Sequence, residues 1–80
     1  MDYPALARQL PLNNHVYRLT YDDGSWEDVA LYVFLDYGGT IPTPAYSTWN
    51  EETEQYESRT HNHYVIPYWK LIRIVDVELQ

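Results

Sequence analysis

The sequence predicts a mainly β fold, in which about five strands form a bent antiparallel sheet or a small, partly open barrel with a short N-terminal helix. Short segments alternate apolar and polar residues with the period of a strand, and turn residues separate them. Nine Tyr, three Trp and one Phe supply an aromatic core. Residues 1–80 make one domain, and because there is no Cys, side-chain packing alone must stabilise it.

The chain begins with a short helix and a first strand. Asp2 can cap a helix over residues 2–10, and Pro11 prevents its continuation. Residues 15–21 alternate aromatic or apolar with polar side chains, which is the period of a half-buried strand. The Asp-Gly pair that follows is a strong hairpin signal because Gly accepts a positive φ angle, so we expect a second strand to begin near Trp26.

Residues 26–37 allow two interpretations. Ser25, with Asp28 three residues later, resembles a helix capping box, and Gly38 could end such a helix. The β-branched and aromatic content of residues 29–35 instead favours a strand buried on both faces. The strand is the preferred interpretation, and an α+β fold with a helix at 26–37 is the alternative.

The second half of the chain predicts a loop, a second hairpin and a closing strand. The Gly and Pro residues of 38–44 indicate an ordered surface loop. Two arms with aromatic residues, 46–49 and 54–58, flank a polar loop and are typical of a hairpin. Residues 64–79 are rich in Val and Ile and predict a long strand that begins or bulges at Pro67.

The distribution of charge is the most informative feature for function. Residues 19–58 contain nine carboxylates and no Lys or Arg, whereas the rest of the chain sums to +2, which gives the net charge of −7. Eight of these carboxylates belong to the predicted hairpins and are candidate partner-binding residues. The first acidic cluster comprises Asp22, Asp23, Glu27 and Asp28, and the second comprises Glu51, Glu52, Glu54 and Glu57. On one common face they would approach the charge density of duplex DNA.

Aromatic residues near the second acidic cluster are candidate apolar anchors. Tyr46, Trp49 and Tyr56 are of the types that dominate binding energy at protein interfaces. The negative charge repels nucleic acid and anionic membranes, so we expect a basic, nucleic-acid-binding protein as the partner instead. Because the sequence shows neither a signal peptide nor a long apolar run, we expect a soluble, cytoplasmic protein.

Few residues indicate catalysis or metal binding. His61 and His63 would share a face of a strand and could hold a metal with a carboxylate such as Glu57. Two His are too few for a closed site, and the glycines belong to turns, not to phosphate-binding motifs. We therefore expect no enzymatic activity and no cofactor, with a metal- or sugar-binding module as a distant alternative.

A small, acidic domain without Cys, with acidic stretches at 22–23 and 51–54, resembles phage-encoded DNA mimics and especially anti-CRISPR proteins. The resemblance covers the size, charge and composition of the whole chain and includes no diagnostic motif. It implies a non-enzymatic inhibitor in the host bacterial cytoplasm, which binds a basic surface of a CRISPR effector complex and keeps target DNA out. The alternative is a small adaptor or assembly protein of phage or bacterial origin, whose acidity serves solubility.

Overall fold

The fold is mainly β, as the sequence predicts. The structure is a computed structural model that describes residues 1–58 and 64–80. The described residues form two short helices and six strands: α1 (Tyr3–Ala7), β1 (His15–Tyr21), β2 (Trp26–Asp36), β3 (Ile41–Tyr46), β4 (Thr48–Asn50), β5 (Gln55–Glu57), α2 (Tyr68–Leu71) and β6 (Ile74–Leu79). Four strands form an antiparallel half-barrel sheet in the order β3-β2-β1-β6, and β4 pairs with β5 in a separate sheet.

The helix α1 is shorter than the predicted helix over residues 2–10. Asp2 caps it as expected, since its Oδ1 accepts a hydrogen bond of 2.8 Å from the Ala5 N–H. After Ala7 the chain tightens into a turn, in which the Leu10 N–H donates to the Ala7 carbonyl at 3.1 Å. This turn buries Leu10, so the last residue of the predicted helix packs in the core although it is not helical.

The β1–β2 hairpin forms as predicted, around Gly24 with a φ of +88°. Its register places Leu19 opposite Glu27 and Arg18 opposite Asp28. Since neighbouring residues of a strand point to opposite faces, Leu19 and Glu27 lie on one face and Arg18 and Asp28 on the other. We call the face with the buried Leu19 the inner face of the large sheet, and the opposite one the outer face.

The helical alternative for residues 26–37 is wrong, because β2 is one continuous strand. β2 pairs with β1 through its first half and with β3 through its second half, and Leu31 is paired on both sides. Burial on both faces, predicted for residues 29–35, is confirmed for residues 30–32 only, since Leu35 is 61% exposed. Asp28 does not cap a helix, since its carboxylate forms an ion pair with Arg18.

β3 occupies the segment in which Gly and Pro predict a surface loop, so the loop prediction is wrong there. The Tyr46 N–H donates to the Tyr64 carbonyl, and the Pro44 carbonyl accepts from the Ile66 N–H. The backbone N–H and C=O groups of these alternate residues of β3 therefore face away from β2. The N–H groups that Pro42 and Pro44 lack would also face away from β2, so the hydrogen bonds between β2 and β3 remain intact.

The segment 64–79 is not one long strand. Val65 forms a single bridge with Ala45, and the strand itself begins only at Ile74. Between them Pro67 precedes the one-turn helix α2, and its carbonyl accepts the N–H groups of the third and fourth residues that follow. This helix turn brings Leu71 into the core, which a continuous strand would not do.

The core lies between the inner face of the large sheet and the two helical segments. The alternation predicted for β1 is confirmed, because all three of its aromatic and Leu side chains on the inner face are buried. The fully packed core residues are Leu6, Leu10, Tyr17, Leu19, Tyr21, Leu31, Ile66, Leu71 and Ile74. No described helix is long and apolar enough to cross a membrane.

Candidate partner-binding surface

The turn of the β1–β2 hairpin is paired with a base from the C-terminal part of the chain. Arg73 Nε lies 3.2 Å from Asp22 Oδ1, and Arg73 Nη2 lies 2.9 Å from Asp23 Oδ2. The Asp22 N–H also donates to the Arg73 carbonyl at 2.9 Å. Hydrogen bonds from Ser25 to the Asp23 carboxylate hold the pKa of Asp23 below its usual range. Both carboxylates of the turn are thus engaged within the molecule.

The outer face of the same hairpin carries a second ion pair. Arg18 donates from Nε and Nη2 to the two carboxylate oxygens of Asp28, at 2.9 and 3.0 Å. The Arg18 guanidinium also lies over the ring of Trp26, with 3.9 Å between Cζ and the ring centroid. The hydrogen bond from Arg18 lowers the pKa of the Asp28 carboxyl. This arrangement fixes Asp28 to its neighbours in the sheet.

The inner face holds the last member of the first acidic cluster. Lys70 Nζ lies 3.1 Å from Glu27 Oε1 and 5.8 Å from the centroid of the Tyr46 ring. Burial works against the charge of Lys70, but its hydrogen bonds to Glu27 and Tyr46 prevail and raise its pKa. Burial also raises the pKa of the Tyr21 hydroxyl, and the nearby Glu27 carboxylate raises it further. Glu27 therefore belongs to a partly buried polar group that joins β2 to α2.

The first acidic cluster is therefore not an unneutralised surface. Among the described residues, three cations pair with its four carboxylates, which leaves a net charge of −1 for this group. Glu27 and Asp28 point to opposite faces of β2. The bases that pair with these carboxylates lie outside residues 19–58, so counting charges along the sequence does not predict the ion pairs. A role of these four residues in partner binding stays a prediction.

The β4–β5 hairpin presents the second acidic cluster. Asn50 Nδ2 and Thr53 Oγ1 donate to the two carboxylate oxygens of Glu57, at 2.9 and 3.0 Å. The Glu52 N–H donates to Asn50 Oδ1 at 2.9 Å. Glu57 therefore fixes the shape of the loop 51–54, and its carboxylate is already engaged.

The other three carboxylates of the second cluster are exposed. Across residues 1–58 and 64–80, no Lys or Arg forms an ion pair with Glu51, Glu52 or Glu54. Like charges so close together repel one another, and the repulsion is relieved when a cation approaches. We call these three residues and the adjacent Trp49 the acidic tip.

Of the three predicted aromatic anchors, Trp49 and Tyr56 are in contact with each other and Tyr46 lies apart from them. Trp49 and Tyr56 are cross-strand neighbours, with ring centroids 5.0 Å apart and an edge-on interplanar angle of 73°. Trp49 is 53% exposed beside the loop, while Tyr56 is half-buried beneath it. Tyr46 instead packs against the core and lies near Lys70. The structure therefore places Trp49 and Tyr56, but not Tyr46, at the second cluster.

The two acidic hairpins emerge from opposite ends of the β1–β2 ladder. The Ser47 N–H donates to the Ala30 carbonyl at 2.8 Å, and Ser47 Oγ donates to Asn14 Oδ1 at 2.7 Å, so β4 starts near the beginning of β1. The turn with Asp22 lies at the other end of β1. At ~3.4 Å per residue the two starting points lie up to about 20 Å apart. The acidic tip is therefore built separately from the first cluster.

Two surface features of the structure are not predicted from the sequence. Tyr68, Trp69 and Ile72 are exposed on and after α2, a helix that the Val and Ile content of the segment conceals. A pocket of about 500 Å³ lies between α1 and the end of β2. Its residues come from distant segments, and no motif in the sequence marks it.

The predicted metal pair His61 and His63 lies outside the described residues. In the part of the chain that the structure describes, no three His, Asp or Glu side chains come together to hold a metal ion. Comparisons with protein-family models, curated proteins and solved structures find no match for this chain. The geometry of the site and the charge of the chain are therefore the basis for assigning a function.

Proposed function

We propose that the chain is a non-enzymatic binding protein whose acidic tip occupies a basic, nucleic-acid-binding surface of a partner protein. The observation that carries this proposal is the contrast between the two acidic clusters. The first is paired with Arg18, Lys70 and Arg73, whereas Glu51, Glu52 and Glu54 have no cation partner among the described residues. Such a tip offers its carboxylates to the Lys and Arg residues of another protein.

The composition of the acidic tip suits an interface of this kind. Exposed carboxylates steer association with a basic surface and make it fast, while the affinity depends on buried contacts. Trp49 can supply such a contact, since an exposed Trp that becomes buried on binding is a frequent hot spot. The hydrogen bonds of Glu57 hold the loop in place beforehand, which reduces the entropy lost on binding.

The more specific form of the proposal is inhibition of a CRISPR effector complex. Such complexes hold guide and target strands in positively charged channels, largely through the nucleic-acid backbone. An acidic hairpin that enters a channel of this kind competes with target DNA for the same Lys and Arg residues. The resemblance of the chain to anti-CRISPR proteins in size, charge and composition supports this form.

Charge reversal at the acidic tip tests the proposal. The variant Glu51→Lys/Glu52→Lys is compared with Asp76→Lys/Glu78→Lys, which changes the net charge equally on exposed residues of β6. The assay measures displacement of target DNA from guide-loaded effector complexes of several types. We expect the tip variant to lose at least about tenfold in inhibition, and the β6 variant to keep most of it. Equal inhibition by both variants and the unchanged chain would contradict the proposal.

A second candidate function is an adaptor that binds through an apolar surface. It is favoured by the exposed side chains of Tyr68, Trp69 and Ile72, which are 66%, 60% and 52% accessible. Binding through these residues would change little between ~50 and ~300 mM salt, because apolar contacts are not screened. Binding through the acidic tip would weaken strongly over that range. The salt dependence of binding to a captured partner therefore separates the two functions.

A further inference from the structure

A second candidate site lies away from the acidic tip, in the pocket between α1, the end of β2 and β3. The pocket is partly open to solvent and has a volume of about 500 Å³, which is within the range of small-molecule sites. Its lining includes Asp2 and Tyr3 at the start of α1, Asp36 and Tyr37 at the end of β2, and Ile41 of β3. Tyrosine rings, an aliphatic side chain and two carboxylates thus surround one cavity.

Asp2 and Asp36 are the charged residues among those that the structure describes in the lining of the pocket, and they give this lining a negative charge. Asp2 Oδ1 accepts from the Ala5 N–H, and Asp36 Oδ1 accepts from the Tyr37 N–H, both at 2.8 Å. These bonds hold each carboxylate through its Oδ1. None of the described lining residues is Lys, Arg or His, and neither Asp2 nor Asp36 forms an ion pair with a described residue.

One of the two tyrosines of the pocket, Tyr3, is held in position. The Tyr3 hydroxyl donates to the Ile66 carbonyl at 2.8 Å, which ties α1 to the segment before α2. Burial raises the pKa of Tyr3, and the neighbouring Tyr37 and Tyr68 raise it further, so the phenol stays neutral near pH 7. Neutral tyrosine rings attract cations to their faces and pack against alkyl chains.

We propose that this pocket binds an organic cation of the size of a Lys or Arg side chain. The charged end would lie between the carboxylates of Asp2 and Asp36, and the alkyl part would contact the rings of Tyr3 and Tyr37. The charge, the apolar wall and the volume of the cavity all fit this chemistry. The proposal is independent of the function proposed for the acidic tip, since different residues carry it.

The test uses N-acetyl-arginine amide as the probe and N-acetyl-citrulline amide, its neutral isostere, as the control ligand. Binding is followed through the NMR signals of Tyr37 and Ile41. We expect the arginine probe to shift these signals in a saturable manner and the citrulline probe to bind at least about tenfold more weakly. Equal binding of the two probes, or no shift at the pocket with either, would overturn the proposal.

A matched pair of variants separates the pocket from general charge. Asp2→Asn/Asp36→Asn removes both charges but keeps the oxygen acceptors, and Asn is as good a helix cap as Asp. Asp76→Asn/Glu78→Gln removes the same charge from β6. We expect affinity for the arginine probe to fall about tenfold in the first variant and to change less than about twofold in the second. Unchanged affinity in the first variant would refute the assignment of the two carboxylates.

n-Propylguanidine distinguishes two sources of the cation. Like N-acetyl-arginine amide it carries a single positive charge, and it presents the guanidinium on an alkyl chain without the amide groups of a peptide. Tighter binding of N-acetyl-arginine amide than of n-propylguanidine assigns the pocket to a side chain of a partner protein, and the reverse order assigns it to a free small molecule. Either order supports an organic-cation site, whereas failure of both ligands to bind refutes it.

Discussion

The two acidic hairpins contain the same number of carboxylates and use them in different ways. In the β1–β2 hairpin, bases from β1 and from the C-terminal segment bind every carboxylate of the first cluster. In the β4–β5 hairpin, Glu57 shapes the loop, and the acidic tip has no cation partner among the described residues. A run of acidic sequence is therefore a poor guide to free charge, because folding decides which carboxylates meet a base.

The two hairpins also differ in their connection to the core. β1 and β2 supply much of the inner face of the large sheet, and their ion pairs join them to α2 and to the residue before β6. β4 and β5 form a separate sheet of two short strands, in which the rings of Trp49 and Tyr56 are in contact. We expect the first hairpin to govern stability and the second to govern binding.

The largest expected difference concerns core packing. Leu19→Ala removes a fully buried side chain from the β1–β2 hairpin and should lower the free energy of unfolding by about 2–5 kcal/mol. Trp49→Ala removes an exposed ring from the β4–β5 hairpin and should cost about 1 kcal/mol. Urea unfolding followed by circular dichroism measures both. Similar losses in the two variants would show that the second hairpin belongs to the core.

A smaller effect is expected from the ion pair on the inner face. A double-mutant cycle with Glu27→Gln and Lys70→Met should give a coupling energy of about 1 kcal/mol, since the partners are 36% and 20% exposed and solvent screens them in part. Urea unfolding of the four proteins measures the coupling. A coupling near zero would mean that the pair does not hold α2 to β2.

The pH dependence of stability should reveal the ion pair on the outer face. The folded pKa of Asp28 lies below its ordinary value of 3.8, so its contribution to stability is complete above that pH and is lost as the pH falls through the folded pKa. Asp28→Asn should therefore lower the melting temperature at pH 7. The difference in melting temperature from the unchanged chain should decrease progressively below pH ~4. In an Arg18→Gln background this pH dependence should disappear. Its persistence there would assign the lowered pKa to another cause.

The smallest effect on stability is expected at the acidic tip. Glu52→Gln removes one of several exposed like charges and should change the free energy of unfolding by less than about 0.5 kcal/mol. Any change should be stabilising at low salt, because repulsion within the tip decreases. Thermal unfolding at low and high salt measures it. A clear loss of stability would indicate an intramolecular partner for Glu52.

The sequence predicts the parts of the fold that depend on local patterns. Alternation in β1 and the Asp-Gly turn give the first hairpin its correct position and inner face. Two patterns mislead. Pro42 and Pro44 indicate a loop, but the N–H groups that they lack would face away from β2, and the Val and Ile of the C-terminal segment conceal the helix turn after Pro67.

The candidate site is predictable only in part, for a different reason. Trp49 and Tyr56 meet because they are paired across a short hairpin, which local sequence can show. The ion pairs of Lys70 and Arg73 join residues more than forty positions apart, so they depend on the path of the whole chain. The pocket between Asp2 and Asp36 depends on the path of the chain in the same way, because its walls come from residues 2–4, from residues 36–43 and from Val65.

Titration with a short oligolysine peptide at low salt tests the difference between the hairpins most directly. Backbone NMR shifts identify the residues that a basic ligand contacts. We predict large, salt-sensitive shifts at residues 49–57 and small shifts at residues 22–28, where the carboxylates already have cations. Equal or larger shifts at residues 22–28 would contradict the assignment of the acidic tip as the surface that meets a basic partner.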